Sequence, residues 1–322
     1  MPGNSQPLVV ATSTDGGDSW TTRQITPATN NVNSANGFGR SGCTIRTDSH
    51  GVAYVFSYQF ANGLPGTGFQ LLSTSTDGGR HWTKARPIFP ATDLCTAFEP
   101  SIGRCVEDGI AGARDDLGPA PSGADATNQI VDAWADGRDG LNNEHVMFAT
   151  STNGGATWTA PRTIETAGDR GYYAAPAISP NGTDVWVVYN AFTTPFRNDT
   201  TSPRNLVGVV KHADVAAGAV GAFSEVHRSP GGDPRSSSQN NLAAEFLGDY
   251  VYAAATRSYG AAVWNDARRA ADCPAIDAYR LALHNENKTQ EPDAVAPPVQ
   301  QVCNGAFGNS DIFGGTYADP TP

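Results

Sequence analysis

The sequence predicts an all-β protein assembled from repeated antiparallel sheets, and three observations lead to this prediction. An octapeptide occurs three times, as STDGGDSW at 13–20, STDGGRHW at 75–82 and STNGGATW at 151–158. Each copy follows a strand-like apolar run and precedes another short strand, so each is expected to be the turn of a β-hairpin. Helical periodicity is weak throughout the chain.

The spacing of the copies sets the architecture. Asp15 and Asp77 are 62 residues apart, Asp77 and Asn153 are 76 apart, and a degraded copy follows at 211–223. A second pair of strand-like segments accompanies each repeat, for example CTIRTDSHGVAYVFSYQF and APAISPNGTDVWVVYNAF. Four strands repeated at this interval predict one β-propeller domain over 1–322, with four-stranded antiparallel blades. We expect about five blades, or six if the natural chain begins earlier.

The two ends of the chain leave an alternative open. A fifth hairpin is predicted at DAYRLALHNENKT, and the first hairpin lacks upstream strands. Either the tail at 285–322, through NSDIFGGTYAD, joins the first hairpin and closes the ring, or the natural chain begins earlier.

The octapeptide is best explained as a structural turn. An Asp side chain can accept hydrogen bonds from the backbone of its own turn, glycine accepts positive φ, and the Trp can pack into the sheet. Asn153 replaces the acid in the third copy, which preserves a carbonyl oxygen but removes the charge. A catalytic or metal-binding role would not survive that change, whereas a turn would.

Composition excludes several classes of function. The net charge is −11 with a pI near 4.9, and no basic stripe is present, which argues against nucleic-acid binding. No apolar run reaches 18 residues, so no membrane span is predicted. A charged-then-apolar leader is also missing after Met1, so a signal peptide has been removed or the protein is cytosolic.

The five cysteines form no C-x-x-C pair, which argues against a zinc site. Cys95 with Cys105, and Cys273 with Cys303, are the pairings we hypothesise, and both fit a secreted protein. Cys43 is left over and is expected to be a buried apolar residue.

The three octapeptides match the Asp-box, or BNR repeat, and the chain therefore resembles the sialidase-like Asp-box propeller superfamily. The resemblance covers most of the chain and implies the fold more specifically than the activity. It implies a glycan or glycoconjugate as partner, no organic cofactor and a monomer. Sialidases clamp the substrate carboxylate with three arginines, use a Tyr–Glu pair as nucleophile and an Asp as acid/base.

The resemblance also suggests site residues. EPSIGRCVEDGIAGARDD supplies Glu99 as a catalytic carboxylate and Arg114 as a substrate-binding arginine. Tyr250 lies late in the chain, where the nucleophile of the family is expected, with Glu245 as its partner. The first arginine of the family usually lies in an F/Y-R-I-P motif, which is missing here. Arg46, in GCTIRTD, is a poor substitute. This departure counts against a working sialidase, or else the natural chain begins earlier.

Two further segments repeat one pattern. AWADGRDG carries Asp136 and Arg138, and VWNDARR carries Asp266 and Arg268. Each pair can point to one side at a strand end and hold a substrate. The alternative, which the recurrence favours, is a salt bridge that fixes the loop.

Other candidates are weaker. Tyr172 and Tyr173 open an inner strand and could be nucleophiles or packing aromatics. The histidines lack the spacing of a zinc hydrolase. A structural Ca²⁺ has candidate ligands, but these lack the spacing of an EF-hand loop: Asp115, Asp116, Asp132 and Asp139.

Three functions follow, in decreasing order of support. The first is a secreted exo-acting glycoside hydrolase of sialidase type, which cleaves terminal sialic acid. The second is a non-catalytic Asp-box propeller that binds glycan or protein at the cell surface. The third is a polysaccharide lyase, for which His145 or Tyr250 would be the base.

Overall fold

The computed structural model describes residues 7–26, 39–60, 67–92, 98–99, 104–105, 127–197, 201–237, 242, 247, 251–285 and 294–321. The strands in these ranges pair antiparallel and form separate sheets that follow chain order. This confirms the predicted all-β class. Within the same ranges, no helix has the length and apolar character needed to cross a membrane.

The first two sheets are built on octapeptide turns. Blade 1 is a hairpin of two strands: β1 (Val9–Thr12) and β2 (Thr21–Gln24). Blade 2 is a four-stranded meander: β3 (Gly39–Thr47), β4 (Ala53–Phe60), β5 (Thr67–Ser75) and β6 (Arg86–Thr92). The first octapeptide joins β1 to β2, the second joins β5 to β6, and blade 2 has the strand number that the sequence predicts.

The third repeat is interrupted. A short pair precedes it: β7 (Phe98–Glu99) and β8 (Arg104–Cys105). Blade 3 then contains three described strands: β9 (Ile130–Asp136), β10 (His145–Ser151) and β11 (Arg162–Thr163). The third octapeptide follows β10, as in blade 2.

Blade 4 is the largest sheet and contains five strands: β12 (Arg170–Ile178), β13 (Asp184–Phe192), β14 (Leu206–Ala216), β15 (Ala219–Val220) and β16 (Ser224–Arg228). Their order is β12-β13-β14-β16, and β15 pairs with the end of β14 in the degraded repeat. Every residue of β13 is buried, because blades 3 and 5 cover both of its faces. The nearly continuous apolar sequence of this strand follows from that position.

Blade 5 combines three strands and two helices: β17 (Tyr252–Ala255), β18 (Tyr259–Asp266), α1 (Pro274–Asn285), α2 (Val299–Val302) and β19 (Asp311–Ala318). The hairpin predicted at DAYRLALHNENKT is therefore wrong, since most of that segment lies in α1. Pro274 at the first helical position, Asp277 in the first turn and a run of good helix formers explain the helix. The tail segment NSDIFGGTYAD provides β19, which pairs with β18 along its length.

The blades pack face to face in chain order, as in a β-propeller. One apolar cluster joins blades 2 and 3, a second joins blades 3 and 4, and a third joins blades 4 and 5. Each sheet between two neighbours therefore has two buried faces, which agrees with the predicted propeller.

The octapeptide turns have one geometry. In the third turn, the Ser151 hydroxyl donates to Asn153 Oδ1 at 3.0 Å, the Thr157 amide donates to the same oxygen at 2.9 Å, and the Trp158 indole donates to the Gly155 carbonyl at 3.1 Å. Asp15 and Asp77 accept the same bonds in the other turns. The structural role predicted for the octapeptide is confirmed, with Asn153 filling the place of the acid.

The cysteines give one confirmation and one correction. Cys273 and Cys303 form the predicted disulfide, with their Cα atoms 5.2 Å apart. Cys43 is a free thiol and is exposed, so its predicted burial is wrong. It lies beside a register shift in β3, on the exposed side of the alternating pattern. The predicted pairing of Cys95 and Cys105 lies outside the described side chains.

Candidate functional site

The candidate site lies along one edge of the sheets, which we call the upper edge. It is the edge at which β9, β13 and β18 end, and it is opposite the octapeptide turns. Loops follow these strand ends, and binding residues of propellers and other folds are commonly carried by such loops. Most of the site residues predicted from the sequence that the structure describes lie here.

Two identical Trp–Asp–Arg units occupy the ends of β9 and β18. In the first unit, Arg138 donates to both oxygens of Asp136, at 2.9 and 2.6 Å, and the Trp134 indole donates at 2.9 Å. In the second, Arg268 donates to both oxygens of Asp266 at 2.7 Å. Both carboxylates are fully buried.

The charges in these units reinforce each other. Burial opposes ionisation of Asp266, but the hydrogen bonds from Arg268 and Trp264 outweigh it and lower the pKa of Asp266. The hydrogen bond to Asp136 raises the pKa of Arg138. Bidentate pairs of this kind hold a loop firmly. The geometry agrees with the alternative in which each pair fixes its loop, and a substrate-binding role for the four residues stays a prediction.

A third Asp–Arg pair follows blade 4, in GGDPRSSS, and was not predicted from the sequence. Arg235 donates to Asp233 at 2.8 Å and lies 3.1 Å from Asp272. The spacing of Asp and Arg matches the other two units, and this spacing was the available signal. The pair borders a cavity of about 510 Å³ between the upper loops and α1, with these lining residues: Thr201, Arg235, Asp272, Pro274, Asp277, Ala278 and Leu281.

A strained tyrosine pair lies at the upper end of β12, the inner strand of blade 4. The pairing register of β12 shifts between Tyr172 and Ala174, and Tyr173 has φ +36. Positive φ at a bulky residue is an outlier, and such strain is concentrated at functional sites. Both rings are buried, and the Tyr172 hydroxyl donates to the Tyr173 hydroxyl at 3.3 Å. Leu247 and Val251 pack in the same apolar cluster.

Two asparagines connect blade 4 to blade 5 beside this pair. Asn190 is opposite Tyr172 in the sheet, and its amide donates to the carbonyl of Asn265 at 2.7 Å. The backbone amide of Asn265 donates back to Asn190 at 3.2 Å. Both polar atoms of the Asn265 side chain are buried without a hydrogen-bond partner. An unsatisfied buried amide is costly, which makes Asn265 unusual at this position.

His145 lies between two acids at the start of β10. Its Nδ1 is 2.7 Å from Glu165 and its Nε2 is 2.8 Å from Asp139. Burial lowers the pKa of His145, but the two carboxylates outweigh burial and raise it. A base must be neutral to accept a proton, so this environment argues against His145 as the base of a lyase.

The other predicted site residues are not brought together in the described structure. Arg46 lies near the end of β3, at the edge that carries the octapeptide turns, and donates to the carbonyl of Ile45 at 2.9 Å. It is therefore at the edge opposite the Trp–Asp–Arg units. The side chain of Glu99 is not described, and three residues lie wholly outside the described ranges: Arg114, Glu245 and Tyr250.

One group of described side chains could hold a metal ion, and it differs from the group that the sequence suggested. Its four ligand atoms lie within 4.8 Å of one another at the lower edge: Asp184, His212, Asp214 and Asp319. Of the acids suggested from the sequence, Asp132 is buried in blade 3 and Asp139 contacts His145. Asp115 and Asp116 lie outside the described ranges.

Comparisons with known proteins give structural likenesses at low identity. No known protein family and no curated protein matches the chain. An α-L-arabinanase of Penicillium chrysogenum, solved with arabinobiose, has a TM-score of 0.45 and 15% identity, with 80% of this chain and 67% of that chain covered. An α-L-arabinofuranosidase of Fusarium graminearum has a TM-score of 0.45 and 13% identity, with 70% and 61% covered.

A sialidase of Streptococcus pneumoniae has a TM-score of 0.39 and 8% identity, with 81% of this chain and 52% of that chain covered. This chain thus spans about half the length of that sialidase and about three fifths of the arabinofuranosidase. All three are glycoside hydrolases. At these identities and TM-scores, their substrates are not transferred to this chain.

Proposed function

We propose that the protein is a carbohydrate-active propeller, and specifically an exo-acting glycoside hydrolase of sialidase type. The observation that carries the proposal is the strained Tyr172–Tyr173 pair on the inner strand of blade 4. A sialidase needs a rigidly held tyrosine near its substrate, and the positive φ of Tyr173 beside the register shift supports a place for one here. Backbone strain of this kind is retained where the surrounding packing enforces it.

The chemistry expected at this site follows from the resemblance to sialidases. A tyrosine hydroxyl is a weak nucleophile at neutral pH, so a carboxylate must take its proton as it attacks the anomeric carbon. Arginines hold the substrate carboxylate, and a second carboxylic acid protonates the leaving oxygen. Glu99 or Glu245 would serve as the base, and Tyr250 remains the alternative nucleophile.

The upper edge also supports glycan recognition. Arginine, aspartate, asparagine and tyrosine side chains all lie there, and these are the groups that hydrogen-bond sugar hydroxyls and stack on sugar rings. The cavity beside Arg235 and Asp272 has the volume of a small saccharide site. We propose that the partner is a glycan or glycoconjugate and that the protein acts as a monomer.

The second candidate is a non-catalytic glycan-binding propeller. The observation that favours it is the closure of Arg138 on Asp136 and of Arg268 on Asp266. A guanidinium whose donors are already engaged by a carboxylate has less capacity to clamp an anionic substrate.

We also propose that the protein is secreted. The Cys273–Cys303 disulfide supports this location, because disulfides persist in oxidising compartments.

Hydrolysis of a fluorogenic sialoside by the purified chain tests the proposal. Tyr173→Phe keeps the ring and removes the hydroxyl, and it should lower kcat by about 100-fold or more. Tyr172→Phe, Tyr250→Phe and Arg114→Ala, measured in parallel, assign the nucleophile and the clamp. Trp20→Phe, at the lower edge, is the control that should leave turnover unchanged.

The outcomes separate the two candidates. Turnover that is lost in one tyrosine variant identifies a sialidase and its nucleophile. Turnover that survives all three tyrosine variants contradicts the tyrosine mechanism. If the wild-type chain shows no turnover but binds sialylated glycans on an array, the non-catalytic candidate replaces the enzyme.

A further inference from the structure

A groove opens at the lower edge, between blade 1 and the second octapeptide turn. It has a volume of about 430 Å³. Four hydroxyl side chains of blade 1 line it: Thr12, Thr14, Ser19 and Thr21. Three of these four residues are exposed, so the groove is open to solvent. It lies at the edge opposite the Trp–Asp–Arg units and is therefore separate from the candidate site described above.

Two arginines also line the groove. Arg23 reaches it from β2, and Arg80 reaches it from the second turn. Arg80 makes no hydrogen bond or ion pair with any described residue. Arg23 makes one long contact, from its Nη1 to the carbonyl of Thr22 at 3.4 Å. Most donors of both guanidinium groups are therefore available to a ligand.

The next two blade interfaces use an arginine differently. Arg86, on β6, donates to the carbonyl of Gly155 in the third turn. Arg162, on β11, donates to the carbonyls of Val220 and Gly221 in the degraded turn, at 3.1 and 2.5 Å. Each of these arginines ties its blade to the turn of the next blade.

Blade 1 lacks this connection. Arg86 and Arg162 each lie four residues after the tryptophan of their turn, and in blade 1 this position holds Gln24. The amide of Gln24 donates to the carbonyl of Thr26 at 2.8 Å, within blade 1. Arg23, one position earlier, makes no hydrogen bond to the second turn in the described structure, and its guanidinium lines the groove instead.

The second turn adds a cation that the other two turns lack. The residue after the second glycine is Asp18 in the first turn, Arg80 in the second and Ala156 in the third. The arginine therefore occurs only in the copy that lines the groove. His81 lines the groove as well, and its Nδ1 lies 2.5 Å from Oδ2 of Asp77.

The charge of the groove is opposite to that of the chain. The net charge of the chain is −11, yet none of the described side chains that line the groove is acidic. The carboxylates of the two adjacent turns are already engaged, because Asp15 accepts a hydrogen bond from the Ser19 amide and Asp77 accepts one from the His81 amide. A local concentration of positive charge in an acidic protein attracts anions.

We propose that this groove is a second glycan site, which binds the carboxylate or sulfate group of an acidic polysaccharide. The planar forks of Arg23 and Arg80 match the paired oxygens of such a group. The threonine and serine hydroxyls hydrogen-bond the sugar hydroxyls beside it. The volume suits a short stretch of sugar units, and the open groove allows the polymer to continue in either direction. Binding here requires no turnover at the upper edge, so the proposal does not rest on the proposed hydrolase activity.

Isothermal titration calorimetry with three octasaccharides tests the proposal. One is sulfated, from heparin; one carries carboxylates only, from hyaluronan; and one is neutral, from maltodextrin. We expect at least one acidic octasaccharide to bind, which identifies the group preferred, and the neutral one not to bind. Arg80→Gln and Arg23→Gln should each weaken binding by about tenfold or more, because each removes a charge-assisted pair. Arg80→Lys keeps the charge without the fork and should lie between Arg80→Gln and the wild type.

Lys84→Gln is the matched control. Lys84 is exposed and follows the same turn but does not line the groove, so the loss of its charge should leave the Kd unchanged. An equal loss of affinity in Lys84→Gln overturns the proposal, because binding then follows the overall charge. Failure of both acidic octasaccharides to bind overturns it as well. Binding that neither glutamine variant at Arg23 or Arg80 weakens also overturns it, since the ligand then lies elsewhere on the protein.

Discussion

Blades 1 and 3 carry the same turn in two different environments. The internal hydrogen bonds of the two turns agree to within a few tenths of an ångström, although one turn has Asp15 and the other Asn153. Trp158 packs against two phenylalanines of blade 2, whereas Trp20 is 62% exposed. The shape of the turn is thus encoded locally, and its contribution to stability depends on the preceding blade.

The largest effect is expected for the tryptophans. Trp158→Ala should lower the free energy of unfolding by about 2–3 kcal/mol, because it removes a partly buried ring from the interface with blade 2. Trp20→Ala should change the free energy of unfolding by no more than about 0.5 kcal/mol, because the Trp20 side chain is 62% exposed. Urea denaturation of both variants measures the difference. Equal costs for the two variants would contradict the account in which packing on the preceding blade, and not the turn alone, provides the stability.

The second effect concerns an acid in the interface between blades 2 and 3. Asp132 lies on β9 between Ile130 and Trp134, which belong to the cluster of that interface, and both of its oxygens lack partners. Burial raises the pKa of Asp132 from 3.8 to about 8. The folded protein therefore holds this proton more tightly than the unfolded chain does. Protonated Asp132 makes its full contribution to the free energy of unfolding below pH 3.8, and this contribution is lost as the pH rises to about 8.

Asp132→Asn keeps the shape of the side chain and removes the titration. Its stability should depend less on pH between 4 and 8, and at pH 8 it should exceed the wild type by on the order of a few kcal/mol. Asp132→Ala gives blade 3 the alanine that blade 5 has at the matching position, Ala262, and provides a second comparison. Thermal unfolding from pH 4 to pH 9 measures the stability of each variant. If the melting temperatures of the wild type and Asp132→Asn change with pH in the same way, Asp132 is hydrated and the account is contradicted.

A smaller effect is expected at the glycines of the turns. Gly155→Ala combines positive φ with a collision with Leu72 of blade 2, and Gly78→Ala has positive φ with open space around it. The backbone term is about 1–2 kcal/mol for each. Gly155→Ala should cost about 1–3 kcal/mol more, because Leu72 must move. Urea denaturation measures both variants. If Gly155→Ala and Gly78→Ala lower the free energy of unfolding equally, the third turn does not pack closely against blade 2.

The smallest effect should come from exchanging acid and amide in the turns. Hydrogen bonds from Ser19 lower the pKa of Asp15, and those from His81 lower the pKa of Asp77. A carboxylate with a lowered pKa adds stability above its unfolded pKa, and this is lost as the pH falls below about 4. Asp15→Asn should reduce the acid sensitivity of the melting temperature, and Asn153→Asp should increase it. A change of melting temperature at pH 7 without any change of its acid sensitivity would contradict this account.

The sequence was informative where structure is set by neighbouring residues. The octapeptide turns, the strands around them and the Cys273–Cys303 disulfide could all be predicted, because short spacings and turn chemistry determine them. The strand pairing of the tail could not, since β19 joins β18 across 44 intervening residues that include α1. The hairpin prediction for DAYRLALHNENKT overlooked the signals of a helix, which are Pro274 at the first position, Asp277 in the first turn and a run of good helix formers.

The candidate site was predicted in part. The Asp136–Arg138 and Asp266–Arg268 pairs follow from two-residue spacing, and Asp233–Arg235 has the same spacing but lacks the tryptophan that drew attention to the others. The strain at Tyr173 arises because β12 has one more residue than β13 at this point of their pairing. The sequence GYYAAP contains no feature that predicts this extra residue. The exposure of Cys43 depends on a register shift in the same way.

The third octapeptide contains an Asn–Gly bond that can deamidate as the protein ages. Asn153 is followed by Gly154, and an asparagine before glycine loses its side-chain amide through attack by the following backbone nitrogen. Opening of the resulting ring on one side gives aspartate, which the first two turns already carry. Opening on the other side gives isoaspartate and lengthens the backbone by one carbon, at a turn that is fitted against blade 2. Deamidation at this bond would therefore produce two populations, one with the ordinary turn and one whose turn is one backbone carbon longer where it contacts blade 2.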